Sequence, residues 1–276
     1  MFFSPCSLID TSIEETLRFD KNTRALYHRN TLCGRYCTLF LLHMSFDNET
    51  FILSLGGSLV APKTGIDTHF LKAFNAFIRK QVSEKKRRFF IVVGGGETAG
   101  KFINAGKETL GHELTHDDLD WLGIHSTRLN AQLVRTVFQD IADPRVIKHY
   151  EIILKIDQPI AIAAGWKPGW STDFCAVTLC EDYNIQEVIN LSNIDTVYDQ
   201  DPNLYPSAKP IDAISWKEYR KMVGDTWSPR LNLPFDPIAS KLAEKLNIRV
   251  KVLNGNNLDN LARALDNKPF IGTTIG

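Results

Sequence analysis

The chain has 276 residues, 43% of them hydrophobic, so it can bury the core of one large domain or two small ones. Its 32 basic and 32 acidic residues give a formal net charge of zero, which argues against attraction to nucleic acid or an acidic membrane. No apolar run approaches the ~20 residues of a membrane span. We therefore expect neither a nucleic-acid partner nor a membrane.

The five cysteines are odd in number and form no CxxC pair; they are Cys6, Cys33, Cys37, Cys175 and Cys180. Cys33 and Cys37 could supply half of a metal site, but no second half follows. Reduced thiols in a cytoplasmic protein are therefore expected. The chain also starts without the basic region of a secretory signal, and an acid follows at Asp10.

Residues 1–43 contain neither sustained periodicity nor a motif, and Met44 stands just before the first convincing strand. Two interpretations stay open for this segment: an appended extension, disordered on its own, or a stretch upstream of a true start at Met44. Residues 44–276 form the expected domain, with a soft boundary between two lobes near Gln186.

From Phe51 onward, short apolar strands alternate with helices. The strand 51–55 ends in Gly56-Gly57-Ser58, and the strand 89–93 ends in the triplet 94–96; a helical pattern follows each. Such alternation predicts a largely parallel sheet covered on both faces. Ligands of these sheets bind beyond the carboxyl ends of the strands, where both glycine clusters lie.

The second half continues this alternation. A long helix is predicted from an N-cap at Asp117 or Asp118 to about Asp140, ended by Asp143-Pro144. The remaining predicted elements are an apolar run at 160–164, a helix from Ser171 to about Glu181, a strand 187–191, an irregular polar loop 192–206, a short helix capped by Ser215, a helix from Asp236-Pro237 to Leu246, a strand 249–253 and a helix 258–265.

The stretch Ile160–Ala176 reads IAIAAGWKPGWSTDFCA, an apolar strand, a Gly/Pro turn and a polar helix start. Backbone amides, two hydroxyls and one carboxylate converge there, as a phosphate with its metal requires. A competing phosphate motif lies at Gly95–Phe102, GGETAGKF, which fits a P-loop except that Phe102 replaces the hydroxyl that binds Mg²⁺. EIILKID, at Glu151–Asp157, would then be the metal-binding strand.

Seven blocks in order resemble the amino acid kinase family, and within it the uridylate (UMP) kinases of bacteria and archaea. They cover the chain from about Phe51 to Gly276. The blocks are GGS at 56–58, GGG at 94–96, DWLGIHSTRLNA at 120–131, KPGWSTD at 167–173, SNIDTVYDQDP at 192–202, FDPIASKLAEKLNIRVKVLNG at 235–255 and GTTIG at 272–276.

The resemblance implies a three-layer αβα sandwich in which residues 44–185 bind the acceptor and residues 186–276 bind ATP. It implies transfer of the γ-phosphoryl group of ATP to a nucleoside monophosphate, with UMP giving UDP for pyrimidine nucleotide synthesis. Mg²⁺ would arrive with ATP and need no metal site of the protein. A homo-oligomer, hexameric by likeness, is also implied.

By the same resemblance, the phosphate track is formed by Gly56, Gly57, Ser58, Gly94, Gly95 and Gly96. Asp120 would bind the acceptor ribose, and Ser171 and Thr172 the rest of the acceptor. Asp173 would orient cations around the transferring phosphate, and Lys241 would contact the phosphates of ATP. The nucleotide of ATP would be held by Asn193, Asp195, Tyr198 and Asp201.

Two departures from the family pattern concern cations. Ser54 stands where many members have a lysine, and Gly100 stands nearest to the usual acceptor-binding arginine. Lys101 and Lys167 are the candidates to replace that charge, although lysine lacks the planar fork of arginine. Each site residue taken alone also has a structural explanation, as a turn former, a helix cap or a solvated side chain. Their joint order favours the kinase.

Alternatives to a UMP kinase remain at this point. The chain could be a catalytically weak relative that binds a nucleotide or an oxyanion for storage or regulation, or a kinase acting on another small acceptor. Asp173 and Lys241 favour an enzyme, because a pure binding module would not require both groups.

Overall fold

The computed structural model describes residues 49–111, 114–202, 204–224, 226 and 233–276. These residues belong to one compact unit. The interpretations of residues 1–43, and of Cys6, Cys33 and Cys37 within them, lie outside the described residues. Within the described part, no helix is both long and apolar enough to cross a membrane.

An eight-stranded sheet forms the centre of this unit. The strands of the described residues are β1 (Thr50–Leu55), β2 (Arg88–Val93), β3 (Ala142–Ile147), β4 (Ile160–Ala163), β5 (Glu187–Ser192), β6 (Val197–Tyr198), β7 (Pro210–Ile211), β8 (Ala213–Ile214), β9 (Arg249–Asn254) and β10 (Thr273–Ile275). The central sheet has the order β3-β4-β2-β1-β5-β9-β10-β8, and β6 and β7 form a separate pair. The first six strands in that order are parallel, β10 runs antiparallel to β9, and β8 is parallel to β10.

Helices cover both faces of the sheet, which confirms the predicted three-layer αβα sandwich. The helices of the described residues are α1 (Gly57–Val60), α2 (Thr68–Lys85), α3 (Gly96–Leu110), α4 (His116–Val137), α5 (Thr172–Tyr183), α6 (Trp216–Val223), α7 (Pro237–Leu246) and α8 (Leu258–Leu265). Alternate strand residues pack on α2, α4 and α8 in one continuous core. On the opposite face, α5 contacts β1, β2 and β5, and α7 packs on α5 and α6.

Most predicted elements are confirmed, because continuous apolar strands and capped helices are local signals. Ser171, Ser215 and Asp236 cap α5, α6 and α7 as expected. The cap of α4, however, is Thr115, whose hydroxyl accepts from the Asp118 amide in a capping box.

Three other predictions need correction. Asp143 lies inside strand β3 rather than in a helix-ending loop. The polar loop 192–206 contains the short strand β6, which pairs with β7. Residues 151–157 are not a strand, so the metal-binding strand required by the P-loop interpretation is missing from this part of the described chain.

Candidate active site

A cleft of about 920 Å³ lies beyond the carboxyl ends of β1, β2 and β5. Its walls come from both glycine turns, from α4, from the start of α5 and from the start of α7. Parallel strands place the loops that follow them at one edge of the sheet, and ligands of such folds bind there. The two glycine clusters and the Ser171–Asp173 segment, far apart in sequence, therefore meet in one cleft.

The two glycine turns touch through their backbones. A Cβ built on Gly57 would lie 2.0 Å from the amide nitrogen of Gly96, and one on Gly94 would lie 2.5 Å from the nitrogen of Gly57. Gly96 also has a φ of +54°, which side chains other than glycine rarely adopt. Glycine is thus required here by close packing, which leaves the backbone at the cleft wall open to a ligand.

Two aspartates form an acidic pair at the cleft, and each accepts a hydrogen bond from a serine. The hydroxyl of Ser54 donates to Asp173 Oδ1 at 2.9 Å. The hydroxyl of Ser171 donates to Asp236, which also caps α7 by accepting from the amides of Ile238 at 2.8 Å and Ala239 at 3.0 Å. Asp236 is only 5% exposed, so its charge is largely withdrawn from water.

Burial raises the pKa of Asp173 above that of an ordinary aspartate, and the charge of Asp236 raises it further. The Ser54 hydroxyl and the backbone amide of Asp236 act in the opposite direction, because they stabilise the carboxylate. Burial likewise raises the pKa of Asp236, against its bonds from Ser171 and from the start of α7. The pair therefore holds a proton more readily than two separate surface aspartates would.

Helix α4 holds the turn 165–170 by four side chain–backbone bonds. Asp120 accepts from the amide of Gly169 at 2.7 Å, and Thr127 accepts from the amide of Gly165 at 2.8 Å. The Arg128 guanidinium donates to the carbonyl of Gly165 at 3.2 Å and to that of Trp166 at 2.8 Å. One helix thus fixes the loop that leads into Ser171 and Asp173.

The same helix also fixes the second glycine turn. The Asn130 side-chain amide donates to the carbonyls of Gly94 and Gly95, both at 2.9 Å. The hydroxyl of Thr98 donates to the Asn130 side-chain oxygen at 3.2 Å. Two walls of the cleft are therefore positioned by side chains of a single rigid element.

Eleven of the predicted site residues line the cleft: Gly56, Gly57, Ser58, Gly94, Gly95, Gly96, Asp120, Ser171, Thr172, Asp173 and Asn193. Six others are not among its lining residues, and all six are described by the structure: Lys101, Lys167, Asp195, Tyr198, Asp201 and Lys241. The roles assigned to both groups stay predictions, but the structure separates a cleft set from a peripheral set.

The three predicted lysines lie outside the cleft lining. Lys101 and Lys241 are exposed on α3 and α7. The ammonium of Lys167 lies 3.8 Å from the centre of the Trp166 ring and 5.1 Å from that of Trp170, within the range of cation–π attraction. Trp170 lines the cleft, so Lys167 contacts a residue of the cleft wall without lining the cleft itself.

The predicted ATP loop is anchored to the end of the chain. The hydroxyls of Thr196 and Thr273 lie 2.7 Å apart, and Thr273 also accepts from the amide of Val197 at 2.8 Å. Asp195 accepts from the Asn254 side chain at 2.9 Å. The GTTIG block thus supports the loop that carries Asp195 and Tyr198.

Among the cleft residues to which the sequence assigns no site role, three have side chains that bear on the chemistry: Lys63, Asn190 and Asp236. The sequence marks Asp236 only as a helix start, although the Asp-Pro pair lies inside a family block. Lys63 follows the first glycine cluster closely, which was its one sequence signal. Of the lysines and arginines in the described residues, Lys63 alone lines the cleft.

Together, a largely parallel sheet, glycine turns at its carboxyl edge and an acidic pair in the cleft define an α/β protein with a candidate ligand site at that edge. Residues 49–254 match the model of the amino acid kinase family, and the chain belongs to that family.

Named relatives are similar over most of the chain. The uridylate kinase of Thermoplasma volcanium is 32% identical over 231 residues, which are 83% of this chain and 98% of that protein. The uridylate kinase of Methanocaldococcus jannaschii is 32% identical over 226 residues, 80% of this chain and 98% of that protein.

Solved structures agree with these sequence matches. The crystal structure of uridylate kinase from Archaeoglobus fulgidus superposes with a TM-score of 0.69 at 27% identity, covering 83% of this chain and all of that one (100%). The UMP kinase of Bacillus anthracis has a TM-score of 0.64 at 19% identity, covering 83% of this chain and 96% of that one, and shows the shared fold.

Proposed function

We propose that this protein is a UMP kinase that transfers the γ-phosphoryl group of ATP to UMP and releases ADP and UDP. An acceptor phosphate oxygen forms the new bond to phosphorus, and the bond from phosphorus to the bridging oxygen of ADP breaks. The observation that carries the proposal is the cleft itself, in which two glycine turns, the Ser171–Asp173 helix start and Asp236 meet. The uridylate kinases among the relatives support the choice of acceptor.

In this proposal the protein aligns two nucleotides and stabilises the charge of the transferred group. The backbone of Gly56, Gly57 and Gly94–Gly96 lies along the phosphates, and Ser58 adds a hydroxyl beside it. Asp120 keeps one carboxylate oxygen on the Gly169 amide, which leaves the other for a ribose hydroxyl. Ser171 and Thr172 contact the acceptor from the opposite wall.

Asp173 is the carboxylate that orients cations around the transferred phosphoryl group. Lys63 is the cation best placed to serve the cleft among the described residues, with Lys101 and Lys167 further out. The residues Asn193, Asp195, Tyr198 and Asp201 form the nucleotide side of the ATP lobe, residues 186–276, and Lys241 lies on α7 of the same lobe. The acceptor lobe is residues 44–185.

Mg²⁺ enters this scheme as part of MgATP. The described residues contain no group of three or more His, Cys, Asp or Glu side chains able to hold a metal ion. Bound to the phosphates of ATP, Mg²⁺ supplies charge neutralisation for them.

We also propose a homo-oligomer that buries the exposed apolar side chains of the α3–α4 pair. Phe102, Trp121 and Leu129 are 56%, 41% and 61% exposed, and Trp121 and Leu129 lie two turns apart on α4. Light scattering of the purified protein tests this.

The buried thiols Cys175 and Cys180 support the expected reducing, cytoplasmic location.

A coupled assay with MgATP and a panel of acceptors tests the function. We expect turnover with UMP above other nucleoside monophosphates, carbamate, acetylglutamate and isopentenyl phosphate. Asp173→Asn should lower kcat at least about a hundredfold, because it removes a charge that acts in the transition state. Nucleotide binding without turnover on any acceptor would instead identify a storage or regulatory relative.

A further inference from the structure

Tyr219 is a fully buried residue of α6 whose hydroxyl holds the residue next to Asp236. The hydroxyl donates to the carbonyl of Phe235 at 2.9 Å and accepts from the amide of Phe235 at 2.8 Å. A phenol has one proton to donate, and here it goes to this carbonyl. Both backbone groups of Phe235 are therefore bound by one side chain that lies outside the cleft.

The carbonyl of Phe235 and the amide of Asp236 belong to one peptide group. A peptide group is planar, and in its trans form the C=O and N–H point in opposite directions. The Asp236 carboxylate accepts from Ser171, the cap of the helix that carries Asp173. The Asp236 N–H also favours the charged form of Asp173 and so lowers its pKa. Tyr219 thus binds the carbonyl of this planar peptide group, and the N–H of the same group belongs to Asp236 of the acidic pair.

Few other contacts fix this plane. The Asn190 side chain donates to the carbonyl of Pro234 at 2.7 Å, and the Asp236 carboxylate is tied to α7 and Ser171. Those bonds hold the two flanking residues, whereas Tyr219 holds Phe235 itself. The tyrosine ring packs 6.0 Å from the Trp216 ring, so removing only the hydroxyl leaves an apolar contact in place.

We propose that Tyr219 is a positioning residue of the active site, which fixes the Phe235–Asp236 peptide and so holds Asp236, and with it the acidic pair, in its working geometry. The kinetic consequence rests on the proposed function, whereas the geometric consequence does not.

Several charged groups share the surroundings of Asp173. Asp236 comes from α7, Asp120 from α4, Glu97 from α3, and Lys63 and Asp67 from the loop after α1. The neighbouring strands β1 and β5 contribute the neutral Ser54 and Asn190. Tyr219 of α6 also belongs to these surroundings: burial, and then the charges of Asp173 and Asp236, raise the pKa of its phenol. None of the other side chains changes in a Tyr219 variant, so a shift in titration reports on the loss of the Tyr219 hydroxyl and of the bonds it makes.

The test is Tyr219→Phe, with Tyr183→Phe as the matched control. Tyr183 is also buried, and its hydroxyl donates to the carbonyl of Leu154 at 2.7 Å, away from the acidic pair. Carboxyl ¹³C signals of the ligand-free proteins are followed against pH, and Asp173→Asn and Asp236→Asn assign the two resonances. We expect the titration of Asp173 to move up by about 0.5–1 pH unit in Tyr219→Phe alone.

Kinetics supply the second readout. We expect kcat of Tyr219→Phe to fall about fivefold near neutral pH, to recover partly at higher pH, and to leave both KM values within about twofold. Equal titrations in wild type and Tyr219→Phe, or equal shifts in both tyrosine variants, would refute the positioning role. If Tyr219→Phe folds poorly, the titration is run with sucrose as a stabilising osmolyte.

The two proposals fail in different ways. A shifted Asp173 titration in a protein without kinase activity would leave the positioning role standing and remove the proposed function. Full kinase activity with UMP and an unshifted titration would do the reverse.

Discussion

At the scale of single residues, the acidic pair and its serines define the chemistry of the cleft. Ser54 stands where many family members have a lysine, and its hydroxyl instead binds the Asp173 carboxylate. A neutral donor stabilises the charged form of Asp173 less than a lysine would, so burial prevails and the pKa of Asp173 is raised. The cation that the reaction requires must come from elsewhere.

Lys63 is our candidate for that cation. It lines the cleft, and it follows Ala61, whose carbonyl accepts from the amide of Glu97 at the second glycine turn. Lys63→Ala should raise the KM for UMP about tenfold, because one contact to a phosphate is lost, while the melting temperature stays unchanged. Steady-state kinetics with varied UMP measure this.

The matched control is Lys72→Ala, an exposed lysine of α2 outside the cleft lining. It should keep the wild-type KM. If Lys63→Ala behaves like Lys72→Ala, the acceptor phosphate is met by another cation, and Lys101 and Lys167 are the next to substitute.

At the scale of elements, the glycine turns and α4 act as one scaffold. Asn130 binds the Gly94–Gly95 turn, and Thr127 and Arg128 bind the turn before α5. Because a helix is stiff, a displacement of either turn must deform the other or break these bonds. Local sequence patterns predicted both turns and the amphipathic helix α4, and the family resemblance added a role for Asp120. The bonds by which α4 holds the two turns were not predicted.

Gly57→Ala should destabilise the protein strongly and disrupt the contact between the two glycine turns. The new Cβ would meet the backbone nitrogen of Gly96 at 2.0 Å, and backbone cannot move aside as a flexible side chain can. We expect a loss of roughly 2–4 kcal/mol in the free energy of unfolding and no measurable ATP binding. Chemical denaturation and calorimetric titration with MgATP provide the measurements.

Gly106→Ala is the control for this substitution. Gly106 lies inside α3, and its added Cβ meets only the side-chain ends of Leu122 and Leu114, at 3.2 and 3.3 Å. We expect at most a small change in stability, since alanine also favours a helix over glycine. Equal damage from both substitutions would contradict the close-packing explanation of the glycine turns.

At the scale of the whole molecule, the acidic pair should make stability depend on pH. Folding raises the pKa of both aspartates, so the folded state binds more protons than the unfolded state between the ordinary aspartate value near 4 and the raised value of Asp173, about 7. The free energy of unfolding should therefore fall as pH rises through this window and change little above it.

Thermal unfolding of the ligand-free protein from pH 4 to 9 measures this slope. Asp236→Asn should flatten it, because the repulsion and one buried charge are removed. Asp140→Asn is the control. The hydrogen bond from Arg79 lowers the pKa of Asp140 to about 2, so protonation of Asp140 changes the free energy of unfolding only at pH values below this window. An unchanged slope in Asp236→Asn would mean that groups other than the acidic pair cause the pH dependence.

Much of the fold was predictable because its signals are local. A strand buried on both faces has a continuous apolar run, and a polar capping side chain marks the start of a helix, as at Ser171, Ser215 and Asp236. Very short strands were not predicted from the sequence: β8 and β10 have two and three residues, and only pairing with their neighbours in the sheet makes them strands.

The sequence alone determined the alternation of strands and helices, the two glycine turns and the family blocks, since each depends on residues close together in the chain. Only the tertiary structure decided that Ser54 binds Asp173 across 119 positions and that Ser171 binds Asp236 across 65. Likewise, only the tertiary structure showed that Asp236, besides capping α7, lines the cleft and that Tyr219 binds the preceding residue. Contacts at such separations follow from how the layers stack around the sheet, a property that no local pattern contains.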